Sequence, residues 1–303
     1  MVNALVAGGT GMLGARIAHH LLNEPAVAEG GELRLLVRTD SLADPAKKRL
    51  IDALVDQGAV IMPGDLHDDK ALTDAASGMD VVVSAVQGGR NVIVDGQVNL
   101  ARAAERAGAR RFVPSDFAID LFKAPPGALM FDPRREADEI ISALDLDVMH
   151  VLTGGFLDMV LDPRAKGIVD ANNATVTCWG TGEEPFNMTT VDDTARLTAC
   201  LVLDDTASAG VHMFAAAETS PSQLAEELSK ATGRTFTLNR LGSVDDLRAA
   251  ISRETDPGVA FRLWYMLSLA TTPPFAALEN DRYPDIELTT LSEQLRRYYG
   301  DRG

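Results

Sequence analysis

The hydrophobic positions in the first half of the chain fall into short continuous runs. Positions 4–7, 33–37, 59–62, 81–84, 111–113 and 147–152 are apolar at most sites and rich in valine, leucine and alanine. Runs of that length without polar alternation predict strands buried on both faces. Between them, 15–22, 47–57, 70–76, 94–107 and 134–144 carry apolar residues at helical spacing, with Ile17, Leu21 and Leu22 on one face. Gly108 follows the 94–107 helix as a C-terminal cap. Strands alternating with helices predict an α/β fold of Rossmann type, a doubly wound parallel sheet. Such sheets bind ligands at the carboxyl ends of their strands.

Near Thr153 the alternation stops. Beyond it the pattern predicts a strand at 174–179, a turn at Gly180-Thr181-Gly182, a helix at 191–203 and a strand at 211–214. A helix over 221–232 closes at Gly233, and a strand covers 235–241. Helices follow at 244–254 and 261–269, then a break at Thr272-Pro273-Pro274 and a last helix at 288–298. The expected organisation is a Rossmann domain over 1–155, to which segments near 186–216 return, and a smaller mixed α/β substrate-binding domain over 156–303.

Composition narrows the partners. The formal net charge is −16 and the isoelectric point about 4.7. A surface of that sign repels phosphate backbones and anionic membranes, so broad-face nucleic-acid binding is excluded while a small positive pocket is not. Cys178 and Cys200 are the two cysteines and form neither a metal spacing nor a disulfide framework. No apolar run approaches the roughly 18 residues of a membrane span. The first residues run straight into a glycine-rich loop without a basic leader, so they read as a strand and not a signal peptide. A cytoplasmic monomer or homodimer acting on a small molecule is the expectation.

The strongest chemical signal is Gly8-Gly9-Thr10-Gly11-Met12-Leu13-Gly14. It satisfies both GxGxxG from Gly9 and GxxGxxG from Gly8, and it sits between a strand and an amphipathic helix. Glycine allows the tight turn and lets a pyrophosphate approach bare main chain, while the helix offers free N–H groups and a positive dipole end. After the second strand comes Val37-Arg38-Thr39-Asp40-Ser41. Arg38, with Ser41 and Lys47, is placed to pair with a 2′-phosphate and so favours NADP(H). Two alternatives stay open: Asp40 serving the ribose of NAD, and Arg38 as a solvated strand-end charge. Gly64-Asp65-Leu66 follows the third strand, where Asp65 either accepts from an adenine amino group or makes a polar turn.

These pieces resemble the NmrA-like and isoflavone-reductase-like branch of the atypical short-chain dehydrogenases. The resemblance rests on the loop at Gly8 and on Asp95-Gly96-Gln97-Val98-Asn99-Leu100, continuing through Ala107-Gly108-Ala109-Arg110-Arg111-Phe112-Val113-Pro114-Ser115-Asp116-Phe117. The ending Tyr283-Pro284-Asp285-Ile286-Glu287-Leu288-Thr289-Thr290-Leu291 is similar as well. It implies an NADPH-binding Rossmann domain, a smaller substrate domain with the cleft between them, and hydride transfer to small aromatic substrates. Gly8, Thr10, Gly11, Leu13 and Arg38 match the family's cofactor contacts. Ala85, Val86 and Gln87 match its loop after the fourth strand, Ser115 and Phe117 its loop after the fifth. Thr153, Gly154, Gly155 and Phe156 match the loop beside the nicotinamide.

The chain departs from the plant reductases at one position. Counting back from Gly155-Phe156, their lysine at the start of the helix before the sixth strand is replaced by Arg134. Arginine stays protonated and cannot trade a proton, but it can bind a carboxylate or stabilise an oxyanion. Arg134 in a cofactor contact or an ion pair is the alternative. Lys123 is the nearest lysine and, swung into the cleft from its loop, is the second catalytic candidate. His19, His20, His67, His150 and His212 show no metal spacing, and His150 reads as a core histidine. Asp192-Asp193 read as helix-start acids. Met159, Trp264, Tyr265, Met266 and Phe275 line an apolar substrate pocket or belong to the core. The expected function is NADPH-dependent reduction of a small aromatic or conjugated carbonyl or quinone-like compound. A dinucleotide sensor without turnover is the alternative from another class.

Overall fold

Each apolar run of the first half becomes a strand, as its lack of polar alternation requires. The computed structural model describes residues 1–162 and 168–299. The early strands are β1 (Ala4–Ala7), β2 (Leu33–Val37), β3 (Val60–Pro63), β4 (Val81–Ser84), β5 (Arg111–Val113) and β6 (Asp147–Leu152). The later ones are β7 (Gly155–Phe156), β8 (Val169–Asp170), β9 (Thr175–Cys178), β10 (Phe186–Thr189), β11 (Gly210–Met213), β12 (Ala217–Thr219) and β13 (Thr237–Arg240). Helices of the first half are α1 (Gly14–Asn23), α2 (Pro25–Ala28), α3 (Thr39–Ala43), α4 (Pro45–Asp56), α5 (Asp69–Ala76), α6 (Gln97–Arg106) and α7 (Asp132–Ile141). Those of the second half are α8 (Leu157–Leu161), α9 (Val191–Leu203), α10 (Pro221–Thr232), α11 (Val244–Arg253), α12 (Pro257–Thr271) and α13 (Leu291–Tyr299).

The first compact unit comprises Met1–Asp116, Pro133–Val151 and Val191–His212. Its sheet runs β11-β6-β5-β4-β1-β2-β3. From β6 to β3 every neighbouring pair is parallel. Ala7 stands opposite Leu36 on one side and Ser84 on the other, so the carboxyl ends of β1, β2 and β4 lie level. Leu5, Val82 and Phe112 are fully buried against Leu72 and Leu100. Each such side chain contributes about 1.5–3 kcal/mol relative to exposure.

Residues 191–212 return to this unit for a physical reason. α9 packs on α1. Arg111 of β5, itself buried, donates to the carbonyls of Val202, Asp204 and Ala207 at 2.7, 2.8 and 2.9 Å. Those acceptors lie at and just past the end of α9, where carbonyls lack helical partners.

The second unit comprises Phe117–Asp132, Leu152–Thr190 and Met213–Gly303. It contains two three-stranded sheets, β12-β10-β7 and β13-β9-β8. Its core includes Leu157, Val176, Met188, Leu224 and Leu228. The division therefore differs from a cut at 155. Residues 117–132 belong to the second unit because Ile119, Leu121, Met130 and Phe131 are part of that core.

Several short elements escaped the sequence pattern. Strand β10 contains Asn187, ordinarily a turn residue, but its buried amide oxygen accepts the Phe275 N–H at 2.7 Å. Helix α12 begins at Pro257, earlier than the apolar spacing indicates, because the Asp256 carboxylate accepts from Val259 N at 2.8 Å. The helix expected over 94–107 opens with a π-helical segment, Asn91–Gly96, before α6. Gly96 permits close packing there, since a Cβ would stand 2.9 Å from that of Leu66.

Candidate functional site

The glycine loop leaves β1 and is shaped by contacts only glycine tolerates. Gly8 has φ +85°, and a Cβ on it would lie 2.4 Å from the Ala85 carbonyl oxygen. Gly11 N–H donates to the Gly8 carbonyl at 2.8 Å and closes the turn. Gly9 lies against the Leu35 side chain, where a Cβ would meet Cδ2 at 3.0 Å. Gly11 and Met12 form the exposed rim of the turn, with Thr10 and Leu13 half-buried beside them. Helix α1 starts at Gly14, and among the described residues no side chain caps it. Its first turn carries no acid, so the positive end of the helix dipole is left for an anion. The cradle fits a dinucleotide pyrophosphate.

The neighbouring strand ends supply the rest of the rim. Arg38 is exposed and is the N-terminal cap residue of α3, its carbonyl accepting from Ser41 N at 2.9 Å. Lys47 Nζ donates to the buried Ser41 hydroxyl at 3.3 Å, which brings Ser41 and Lys47 together beside Arg38. Asp40 lies exposed in the same turn. Asp65 is exposed and its carboxylate accepts His67 N–H at 3.0 Å, the geometry of a polar turn. The Leu66 carbonyl is held by Asn99 Nδ2 at 3.2 Å.

After β4 come Ala85, Val86 and exposed Gln87. Ala85 N–H donates to Ala7 O at 2.9 Å. Ser115, after β5, ties this loop down: its hydroxyl donates to Val86 O at 2.7 Å and its N–H to Gln97 Oε1 at 2.9 Å. Gln97 is fully buried, so the Gln97 and Asn99 of the resemblance motif are scaffolding for the loops at Ser115 and Leu66.

Arg134 joins the same group of loops. It lies half-buried in the first turn of α7, and its Nε donates to Ser115 O at 2.7 Å. Burial lowers its pKa, and the charges of Asp116 and Asp138 oppose that shift. One turn along α7, Asp138 meets Asp116 and His150, three buried residues from separate segments. His150 Nδ1 lies 2.8 Å from Asp116 Oδ2 and 3.9 Å from Asp138 Oδ1. Nothing in the sequence spacing announced this cluster, and His150 proves to be a core histidine with acidic partners.

The remaining candidates fall in the second unit. Phe117 is buried, and the Ala118 carbonyl beside it accepts from Thr153 N at 3.1 Å and Gly154 N at 2.9 Å. Thr153 is fully buried. Gly154 has φ +75°, and a Cβ there would stand 2.2 Å from Asn187 O. Gly155 and Phe156 form β7 beside β10. The Tyr265 hydroxyl lies 3.1 Å from where a Gly155 Cβ would be, and burial pushes its pKa up to about 12. Lys123 Nζ pairs with the buried Asp120 carboxylate at 2.8 Å. Phe275 is buried in the core, Trp264, Tyr265 and Met266 pack partly against it, and Met159 is exposed.

Four histidines take structural or surface roles. His19 Nδ1 meets Gln57 Oε1 at 2.6 Å, His20 Nε2 meets Asp192 at 3.3 Å, and His212 Nε2 meets Ser208 O at 2.9 Å. His67 is exposed in the turn after β3.

A parallel sheet in this order, with a glycine loop between β1 and α1, defines a Rossmann-type α/β protein. The chain belongs to the NmrA-like family, whose model matches residues 3–277. It is 25% identical over 307 residues to isoflavone reductase homolog P3 of Arabidopsis thaliana, covering 96% of each chain. It is 26% identical over 321 residues to bifunctional pinoresinol-lariciresinol reductase 2 of Thuja plicata, covering 97% of each. Its fold matches the binary complex of leucoanthocyanidin reductase and NADPH from Vitis vinifera with a TM-score of 0.82, at 21% identity over 98% of this chain and 99% of that one. No helix among the described residues is long and apolar enough to cross a membrane.

Proposed function

We propose that this protein is an NADP(H)-dependent reductase of a small aromatic or conjugated carbonyl compound, quinones included. The observation that carries the reading is the bare turn from Gly8 to Gly14, shut to side chains by the carbonyls of Gly8 and Ala85 and opening onto an uncapped helix start. Gly8, Thr10, Gly11, Met12, Leu13 and Gly14 hold the pyrophosphate. Arg38, Ser41 and Lys47 take the 2′-phosphate, and Asp65 and Leu66 flank the adenine. Ala85, Val86, Gln87, Ser115 and Phe117 continue the contact surface, and Thr153, Gly154, Gly155 and Phe156 attend the nicotinamide. The bound cofactor supplies the hydride.

Arg134 is the residue we assign to the substrate oxygen. Its guanidinium is anchored through Nε on the Ser115 carbonyl and keeps its charge at working pH. It stabilises an oxyanion electrostatically and does not deliver a proton. A quinone acceptor suits such a site, because its reduced oxygen needs little acid catalysis. Lys123 is engaged by Asp120. The relatives support the reading by their names, one an isoflavone reductase homolog and the other a bifunctional pinoresinol-lariciresinol reductase.

The test follows NADPH absorbance with a panel of quinones, enones and aromatic ketones, alongside Arg134→Ala. Consumption that needs both protein and acceptor, cut about 10²–10³-fold by the substitution, supports reductase and clamp together. Protein that binds NADPH yet consumes it with no acceptor is a dinucleotide sensor, and the enzymatic reading falls.

A further inference from the structure

Asp116, Asp138 and His150 form a cluster whose charge the proposed reaction does not use. Asp116 follows β5 and is fully buried, His150 lies in β6, and Asp138 is on α7 one turn beyond Arg134. One carboxylate oxygen of each aspartate and one ring nitrogen of His150 lie within 4.8 Å of one another. Asp116 Oδ2 is taken by His150 Nδ1, while Asp116 Oδ1 and both Asp138 oxygens have no donor among the described residues. Carboxylates are acceptors only, so two of them bond each other only when one carries a proton. Leaving both ionised and buried at this separation is costly, and a single retained proton removes the conflict.

We infer that Asp116 and Asp138 share one proton, with His150 orienting Asp116, and that this proton-bound pair positions Arg134 on the Ser115 carbonyl. One proton leaves one negative charge to balance the guanidinium, so the buried group is close to neutral. Asp138 is held mostly protonated, its pKa pushed up to about 9 by burial, by the Asp116 charge and by the hydrogen bond with Asp116, against the pull of Arg134. The ionisable groups facing it are Asp116 at the end of β5, His150 from β6 and Arg134 on its own helix. Loss of the proton adds a second negative charge, which draws the guanidinium onto the pair and away from a substrate oxygen. Asp116, Asp138 and His150 are thus positioning residues, and they set an alkaline limit on the clamp.

The link to turnover rests on Arg134 acting as the clamp, whereas the proton itself is measured without any reaction. In the unfolded chain Asp138 ionises near the ordinary aspartate value of 3.8, while folded it keeps its proton to about 9. Unfolding therefore releases a proton between those values, and stability falls as pH rises through that window.

The experiment compares wild type with Asp138→Asn, which mimics the protonated acid and cannot ionise. Thermal unfolding is scanned from pH 5 to pH 10, and infrared difference spectra at pH 7 look for a carboxylic-acid C=O band. The expected result is a melting temperature that falls with pH more steeply in wild type than in D138N, and an acid band that D138N lacks. Where turnover exists, KM for the acceptor should rise roughly tenfold from pH 8 to pH 10 in wild type and stay flat in D138N. Equal pH slopes and no acid band would overturn the shared proton. A shared proton with the same KM profile in both proteins would overturn the positioning role alone. Stabilisation of wild type but not D138N by Zn²⁺ or Mn²⁺ would make the cluster a metal site instead. If D138N does not fold, the wild-type acid band and its loss above pH 9 decide the matter.

Discussion

Gly14 faces Gly8 so closely that a Cβ at position 14 would lie 2.3 Å from the Gly8 carbonyl oxygen. The obstacle is main chain and cannot swing aside, so Gly14→Ala must reopen the turn. We expect a loss of about 1–3 kcal/mol in stability, as for other overpacked sites. NADPH affinity should fall at least tenfold, read by fluorescence titration. Unchanged affinity in a folded variant would contradict the phosphate cradle.

Arg38 is exposed beside Ser41 and Lys47, and we propose that it makes the choice between cofactors. A hydrogen bond to a charged group is worth about 1.5–3 kcal/mol, so Arg38→Ala should weaken NADPH binding roughly tenfold to a hundredfold. NADH binding should hardly move. An equal loss for both cofactors would mean that Arg38 does not meet the 2′-phosphate.

Arg111 bonds three carbonyls at and beyond the end of α9 from within the sheet. Arg111→Met fills much of the volume but removes the donor to the Val202 and Ala207 carbonyls, while the Asp204 carbonyl keeps the Ala207 N–H at 3.0 Å. Chemical denaturation should show a loss of about 2–5 kcal/mol. NADPH affinity measured on the folded fraction should stay near the wild-type value, because the phosphate loop is untouched.

Both thiols should react slowly. Burial, reinforced by Glu24, pushes Cys200 up to about 11, and burial also raises Cys178. The thiol form of Cys200 therefore persists below that value. At pH 8 Cys200 should be alkylated at least ~100-fold more slowly than a small free thiol of ordinary pKa. Quantitative labelling with iodoacetamide and mass spectrometry checks this, and fast labelling would show that the Cys200 environment opens.

What the sequence disclosed follows the range of the forces involved. The glycine loop was legible because a turn and a helix start are local demands, met within Gly8 to Gly14. The parallel sheet was legible because valine-rich runs buried on both faces leave few alternatives. The two-residue strand β7 was not, since periodicity needs several residues to show itself. Strand β10 was hidden by Asn187, whose polarity is answered by Phe275, 88 positions away. The Asp116–His150 pair spans 34 positions and exists only because β5 and β6 lie side by side. Residues 117–132 have an apolar content that no local rule assigns to one unit over the other.

The return of residues 191–212 to the first unit also bears on synthesis. A nascent chain that has emerged as far as residue 151 lacks the helix that covers α1 and the carbonyls that satisfy Arg111. Everything from 152 to 190 must be translated first, and it belongs to the other unit. The first unit therefore cannot mature in order from the N-terminus, and a fragment ending at 151 is an unfinished sheet. The two halves are bound into one folding event by the path of the chain, whatever each does once folded.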